Sequence, residues 1–196
     1  MERRAIQASD GLLIVDVQRD FLPGGALAVP GGDGVVAPLN AWIARFRAAQ
    51  AQPRVYASRD WHPPNSRHFR PAGPWPPHCV QGTPGAAFAA NLAQPPAAIV
   101  ISKGTRADED GYSAFDGRDA AGTPLAERLR QDGIARLWIG GLATDYCVRA
   151  SALAARQHGW PVMLLGDAIR AVEAQAGDGE RALAELRRAG VQVVTE

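Results

Sequence analysis

The sequence predicts an α/β protein: a doubly wound, mostly parallel sheet of about six strands with helices on both faces. Two observations carry that prediction. Strand-length apolar runs are nearly continuous rather than alternating, as in strands covered on both sides. Segments of helical character separate them along the whole length. With no internal repeat and no linker, the 196 residues are read as a single domain, 1–196.

The elements run in order. Leu12–Val17 is the first strand, and Val35–Ala49 the first helix. Val55–Ser58 and Ala98–Ser102 are the next strands, and Leu125–Gln131 is helical. Leu137–Gly140 is a strand running into Gly140-Gly141, a pair that permits a tight turn. Asp145–His158 is the next helix, with Thr144 as its N-cap. Val162–Leu165, a helix over Val172–Ala189 and a last strand over Val191–Val194 complete the chain. Connections should be right-handed crossovers, with ligands gathering beyond the carboxyl ends of the strands.

Composition narrows the function classes. The net charge is +1 with no long run of one sign, which argues against a nucleic-acid groove or an anionic membrane surface. No apolar run reaches membrane-spanning length, and the first ten residues lack the apolar stretch of a signal peptide. Two cysteines make no disulfide framework, so a cytoplasmic location is expected. The composition leaves a homo-oligomer open.

Residues 60–79 hold three of the four histidines and one of the two cysteines. The segment is too rich in proline for a regular helix or a central strand, so it is an ordered loop. Asp60, His62, His68 and His78 offer a carboxylate and three imidazoles, a donor set suited to one divalent Zn, Fe or Mn.

Other reactive groups fall at predicted strand ends. Asp16 closes an apolar run, where desolvation should raise its pKa and make it a proton acceptor. Lys103 is the only lysine among 21 basic residues and directly follows a strand. A lysine kept where arginine is used elsewhere points to a need for a compact amine. Cys147 lies in the first turn of the helix after the glycine pair, where backbone N–H groups and the helix dipole favour a thiolate. The same N–H groups are suited to an oxyanion. Cys79, in the proline-rich loop, is the weaker nucleophile candidate.

Four stretches carry a family resemblance: Asp16-Val-Gln-Arg-Asp-Phe21; Asp60-Trp-His62 with Trp75-Pro-Pro-His78-Cys; Lys103-Gly; and Gly141-Leu-Ala-Thr-Asp-Tyr-Cys147-Val. The chain resembles the nicotinamidase/pyrazinamidase branch of the isochorismatase-like cysteine hydrolases over nearly its full length. The resemblance implies a catalytic Asp16, Lys103 and Cys147, and a metal held by Asp60, His62 and His78, with His68 as a further ligand in some members. It also implies an oxyanion hole of the Ala143 and Cys147 N–H groups, with a cis peptide before Ala143. Phe21, Trp75 and Tyr112 match the aromatic residues that sandwich the substrate ring. Arg19 departs from the asparagine of many members, and the stretch between His68 and His78 is shorter than in some. The implied activity is hydrolysis of a small-molecule substrate, nicotinamide, to nicotinate and ammonia through a thioester, with pyrazinamide as a further substrate. The alternatives are a cysteine amidohydrolase of the same fold acting on a carbamoyl or ureido substrate, and a non-catalytic metal- or partner-binding protein.

Overall fold

The computed structural model describes residues 5–195. Ten strands and α-helices follow one another along it: β1 (Asp10–Val15), α1 (Val36–Ala49), β2 (Val55–Asp60), β3 (Ile99–Lys103), α2 (Leu125–Gln131), β4 (Arg136–Leu142), α3 (Arg149–Gln157), β5 (Val162–Arg170), α4 (Asp178–Arg188) and β6 (Gln192–Val194). The strands form one all-parallel sheet in the order β3-β2-β1-β4-β5-β6. The chain first winds outward through β2 and β3, then returns to start the other half at β4. The order therefore reverses between β1 and β4, and a crevice opens beyond their carboxyl ends.

Both faces of the sheet are covered, which explains the continuous apolar runs. Leu12, Ile14 and Trp138 face one side and pack with Leu39, Trp42 and Phe46 of α1. Leu13, Val15 and Ile139 face the other and pack with Leu129 of α2, Ala152 of α3 and Leu186 of α4. At the opposite edge from the crevice, buried Asp10 accepts from Arg136 at 2.9 and 2.6 Å and from Trp138 Nε1 at 3.0 Å, tying β1 to β4.

Several boundaries differ from the sequence reading: β2, β4 and β5 run further than expected, β5 to Arg170 rather than Leu165, and three other differences bear on the crevice. The strand expected to run to Val17 ends at Val15, because Asp16 adopts a left-handed conformation (φ 49°). The helix expected from Asp145 with a Thr144 cap begins instead as a π-turn over Thr144–Val148, and α3 proper starts at Arg149. The cap position is Ala143, whose carbonyl accepts from both Tyr146 and Val148 N–H, and no side chain caps the turn. The helix expected from Val172 starts only at Asp178. Carboxylates take over the amides that the missing turns would have used. Asp145 accepts from Val172 and Glu173 N–H, both at 2.9 Å. Glu173 accepts from Gly177, Asp178 and Gly179 N–H.

Candidate active site

The crevice takes its reactive groups from the carboxyl ends of four strands. β1 delivers Asp16. Neighbouring strands β2 and β3 end in register on Asp60 and Lys103. β4 ends in the turn that carries Cys147. That turn depends on glycine: a Cβ on Gly141 (φ 129°) would overlap the Val15 backbone, and one on Gly140 would press on Leu39 at 3.1 Å. Gly141 lets β4 close against β1, and Gly140 makes room for Leu39 of α1 and for Leu165 and Ala168 of β5. The peptide between Leu142 and Ala143 is cis.

Asp16, Lys103 and Cys147 converge on one another. Lys103 is buried, and its ammonium lies 2.7 Å from Asp16 Oδ2 and 3.5 Å from Cys147 Sγ. It also donates to the Gly111 carbonyl at 2.7 Å and pairs with Asp60 Oδ1. Burial alone would discharge this amine, but the two carboxylates outweigh it and hold its pKa well above the ordinary lysine value. Asp16 accepts a second bond on Oδ1, from the Ser58 hydroxyl at 2.7 Å. Burial raises the Asp16 pKa, Lys103 opposes it, and the net direction is upward, as its apolar surroundings predict.

Cys147 departs from the expected thiolate. Burial pushes its thiol well up; Lys103 pulls down, and the charges of Asp16 and Asp60 push up again. Burial and the two carboxylates thus favour the thiol form over the thiolate at rest. A helix start favours a thiolate only when not overridden by desolvation and two nearby carboxylates. Cys79 is fully buried, with its N–H donating to Asp20 at 2.7 Å, and burial likewise pushes its thiol far up.

Beside this set lies the histidine cluster. Ligand atoms of His62, His68 and His78 lie within 4.8 Å of one another. Asp60 Oδ2 is 3.8 Å from both His62 Nε2 and His78 Nε2. Burial pushes Asp60 up, but Lys103 and His62 overcome it, so the carboxylate stays ionised. Burial lowers His68 and takes His78 to about 4, leaving neutral imidazoles with lone pairs to offer. His78 Nδ1 donates to the Pro76 carbonyl at 2.8 Å, and His68 Nδ1 lies 3.2 Å from Asp110 Oδ1. Both nitrogens of buried His62 lack a hydrogen-bond partner among the described residues. An unpartnered buried imidazole is costly unless a further group binds there. The donor set and that orphaned nitrogen fit a divalent metal. Asp16, Asp60 and Cys147 also approach one another, but the Lys103 ammonium sits between them and excludes a cation.

Both groups reach one cavity that opens to solvent. Cys147, Ala143, Asp60, His68 and His78 contribute to its wall, as do Phe21, Trp75 and Tyr112. Asp16, Lys103 and His62 stand behind that wall. The aromatic lining is cross-braced: Trp75 Nε1 donates to Tyr112 Oη at 3.0 Å, and the Trp75 and Tyr146 rings meet edge to face at 5.1 Å. Phe21 packs on His78 at 5.5 Å.

Sequence reasoning missed several contributors. Tyr146 and Val172 line the cavity; Tyr146 was accessible as the neighbour of Cys147. Gln18 is fully buried and clamps Asp60: its amide donates to the Asp60 carbonyl at 2.8 Å and accepts from the Asp60 N–H at 2.8 Å. Ser58 and Asp110 carried no signal in the sequence.

This sheet, with a buried aspartate, lysine and cysteine at its switch point, defines an isochorismatase-type hydrolase fold. The chain belongs to the isochorismatase family, whose domain matches residues 10–196. Within the family it is similar to the nicotinamidase/pyrazinamidase of Mycobacterium tuberculosis, at 40% identity over 187 residues, covering 93% of this chain and 97% of that protein. The solved pyrazinamidase of Pyrococcus horikoshii in complex with zinc superposes with a TM-score of 0.86 at 46% identity, covering 96% of this chain and 99% of that one. PnC1 from L. infantum in complex with nicotinate gives 0.83 at 38% identity, over 98% and 100% of the two chains. No helix among the described residues is long and apolar enough to cross a membrane.

Proposed function

We propose that this chain is a nicotinamidase, an amidohydrolase converting nicotinamide to nicotinate and ammonia, with pyrazinamide as a second substrate. One observation carries the reading: the cysteine and the histidine cluster open onto the same aromatic-walled cavity. The identity to nicotinamidases and pyrazinamidases over nearly the whole chain supports it. Residues 1–196 are read as one isochorismatase-like domain acting in the cytoplasm on a small molecule. The single sheet running from Asp10 to Val194 and the two free cysteines support that.

The chemistry rests on the proton positions. Cys147 is the nucleophile, and Asp16 takes its proton as sulfur attacks the carboxamide carbon. The raised pKa of Asp16 makes it a better acceptor for that proton, and Lys103 stabilises the charges on either side. The developing oxyanion is received by the Ala143 and Cys147 N–H groups. Asp16 then gives its proton to the departing nitrogen, the C–N bond breaks, and ammonia leaves a thioester. Water, deprotonated by Asp16, attacks the thioester carbon. The C–S bond breaks, nicotinate leaves, and the proton returns to sulfur.

Asp60, His62, His78 and His68 would hold one divalent cation, Zn, Fe or Mn, which supplies a Lewis-acid contact for the pyridine nitrogen. Phe21, Trp75 and Tyr112 confine the ring so that its amide reaches Cys147.

The test is ammonia release from nicotinamide by the purified protein. Steady turnover is expected. Silence on nicotinamide and pyrazinamide, with turnover of a carbamoyl or ureido substrate, would replace this reading.

A further inference from the structure

We propose that Asp110 is a positioning residue: it holds His68 in the tautomer that presents Nε2 to the metal site. The proposal rests on reading the Asp60 and histidine cluster as a divalent-metal site.

An imidazole has two nitrogens, and the partner of one decides what the other can do. His68 Nδ1 lies 3.2 Å from Asp110 Oδ1. A carboxylate only accepts, so Nδ1 must carry the hydrogen, and Nε2 keeps its lone pair. His78 uses the same device, with Nδ1 donating to the Pro76 carbonyl at 2.8 Å. Metal-ligating histidines commonly have such an outward partner, which fixes ring orientation and raises ligand basicity.

The surroundings set Asp110 for this contact. Arg67 N–H donates to the Ala107 carbonyl at 2.8 Å, joining the histidine loop to the segment that carries Asp110. One residue on, the Gly111 carbonyl accepts from Lys103 at 2.7 Å, pinning that segment from its other side. The His68 ring stacks on His62 at 4.9 Å and meets Tyr112 edge to face at 5.2 Å, so it cannot turn freely. The Asp110 side chain is itself 74% exposed. A pairing with so exposed a carboxylate contributes little to folding. Its effect should fall on the ligand it holds.

The test is zinc affinity, read by competition with a chromophoric chelator. Wild type, Asp110→Ala, Asp110→Asn, His68→Ala and the double variant Asp110→Ala/His68→Ala are compared, with thermal melting of each metal-free protein. Asp110→Ala should weaken zinc binding by about 10–100-fold with its melting unchanged. Asp110→Asn keeps an acceptor oxygen and should lose less than about tenfold. In the His68→Ala background, Asp110→Ala should add less than about twofold, because its effect runs through that ring. Unchanged zinc affinity in Asp110→Ala overturns the proposal, as does an equal loss with and without His68. If the wild type takes up no zinc, the metal reading falls and this one with it. If the wild type binds zinc and Asp110→Ala matches it, only the role of Asp110 falls.

Discussion

Lys103 and Asp60 end neighbouring strands directly opposite each other, and the ammonium of one is paired with Oδ1 of the other while Oδ2 turns toward His62 and His78. One carboxylate therefore serves both the buried charge cluster and the histidine cluster. Asp60→Ala should act on folding as well as on metal binding. Metal-free Asp60→Ala should lose about 3–5 kcal/mol in urea unfolding, since it strips a buried ammonium of one counter-charge. His62→Ala should lose its metal with a stability change of about 1 kcal/mol or less, because no hydrogen bond to the ring is broken. Equal unfolding curves for the two variants would contradict this division.

Cys147→Ala should abolish ammonia release, with a fall in kcat of about 10⁴ or more, because the bond-forming atom is gone. Metal content should stay at the wild-type level. Cys79→Ala should keep most of the activity. Assays of both variants beside metal analysis check the assignment.

Replacing Lys103 by arginine should cost nearly as much activity as replacing it by alanine. The ammonium touches Asp16, Asp60, the Gly111 carbonyl and Cys147 from one point, and a planar guanidinium cannot reproduce that in a buried space. Steady-state rates decide it: a near-normal Lys103→Arg enzyme would mean that diffuse positive charge is sufficient.

The acid limb of kcat/KM should report Asp16, which must be ionised to accept the thiol proton. Burial raises its pKa, Lys103 lowers it, and the Ser58 hydroxyl, by bonding to the ionised form, lowers it further. Ser58→Ala removes that last contribution. The limb should move to higher pH, with activity lost first on the acid side. A pH–rate profile that keeps its midpoint while falling uniformly would show that Ser58 acts only on structure.

The sheet was legible because each strand is covered on both faces, so apolar continuity marked all six strands. The strand ends were legible for the same reason: Asp16 and Lys103 interrupt or close apolar runs. Helix starts were less so. The amides of Val172 and Glu173 are taken by Asp145, a partner 27 and 28 residues away, and no local pattern announces that. The Cys147 turn was placed in the chain by its glycine pair, but its π geometry and the upward push on its thiol depend on burial and on carboxylates from β1 and β2. Ser58, Gln18 and Asp110 stayed invisible because each is an ordinary polar residue whose partner is distant in sequence.

The burial of the sole lysine reaches beyond the reaction. With Lys103 only 1% exposed, the folded surface offers no side-chain amine. Acylating labels, amine cross-linkers and lysine-directed enzymatic tags therefore have no side-chain target on the native protein. An amine-reactive dye that appears on Lys103 reports opening of the molecule at its catalytic centre, so one mass-spectrometric peak can serve as a built-in gauge of unfolding.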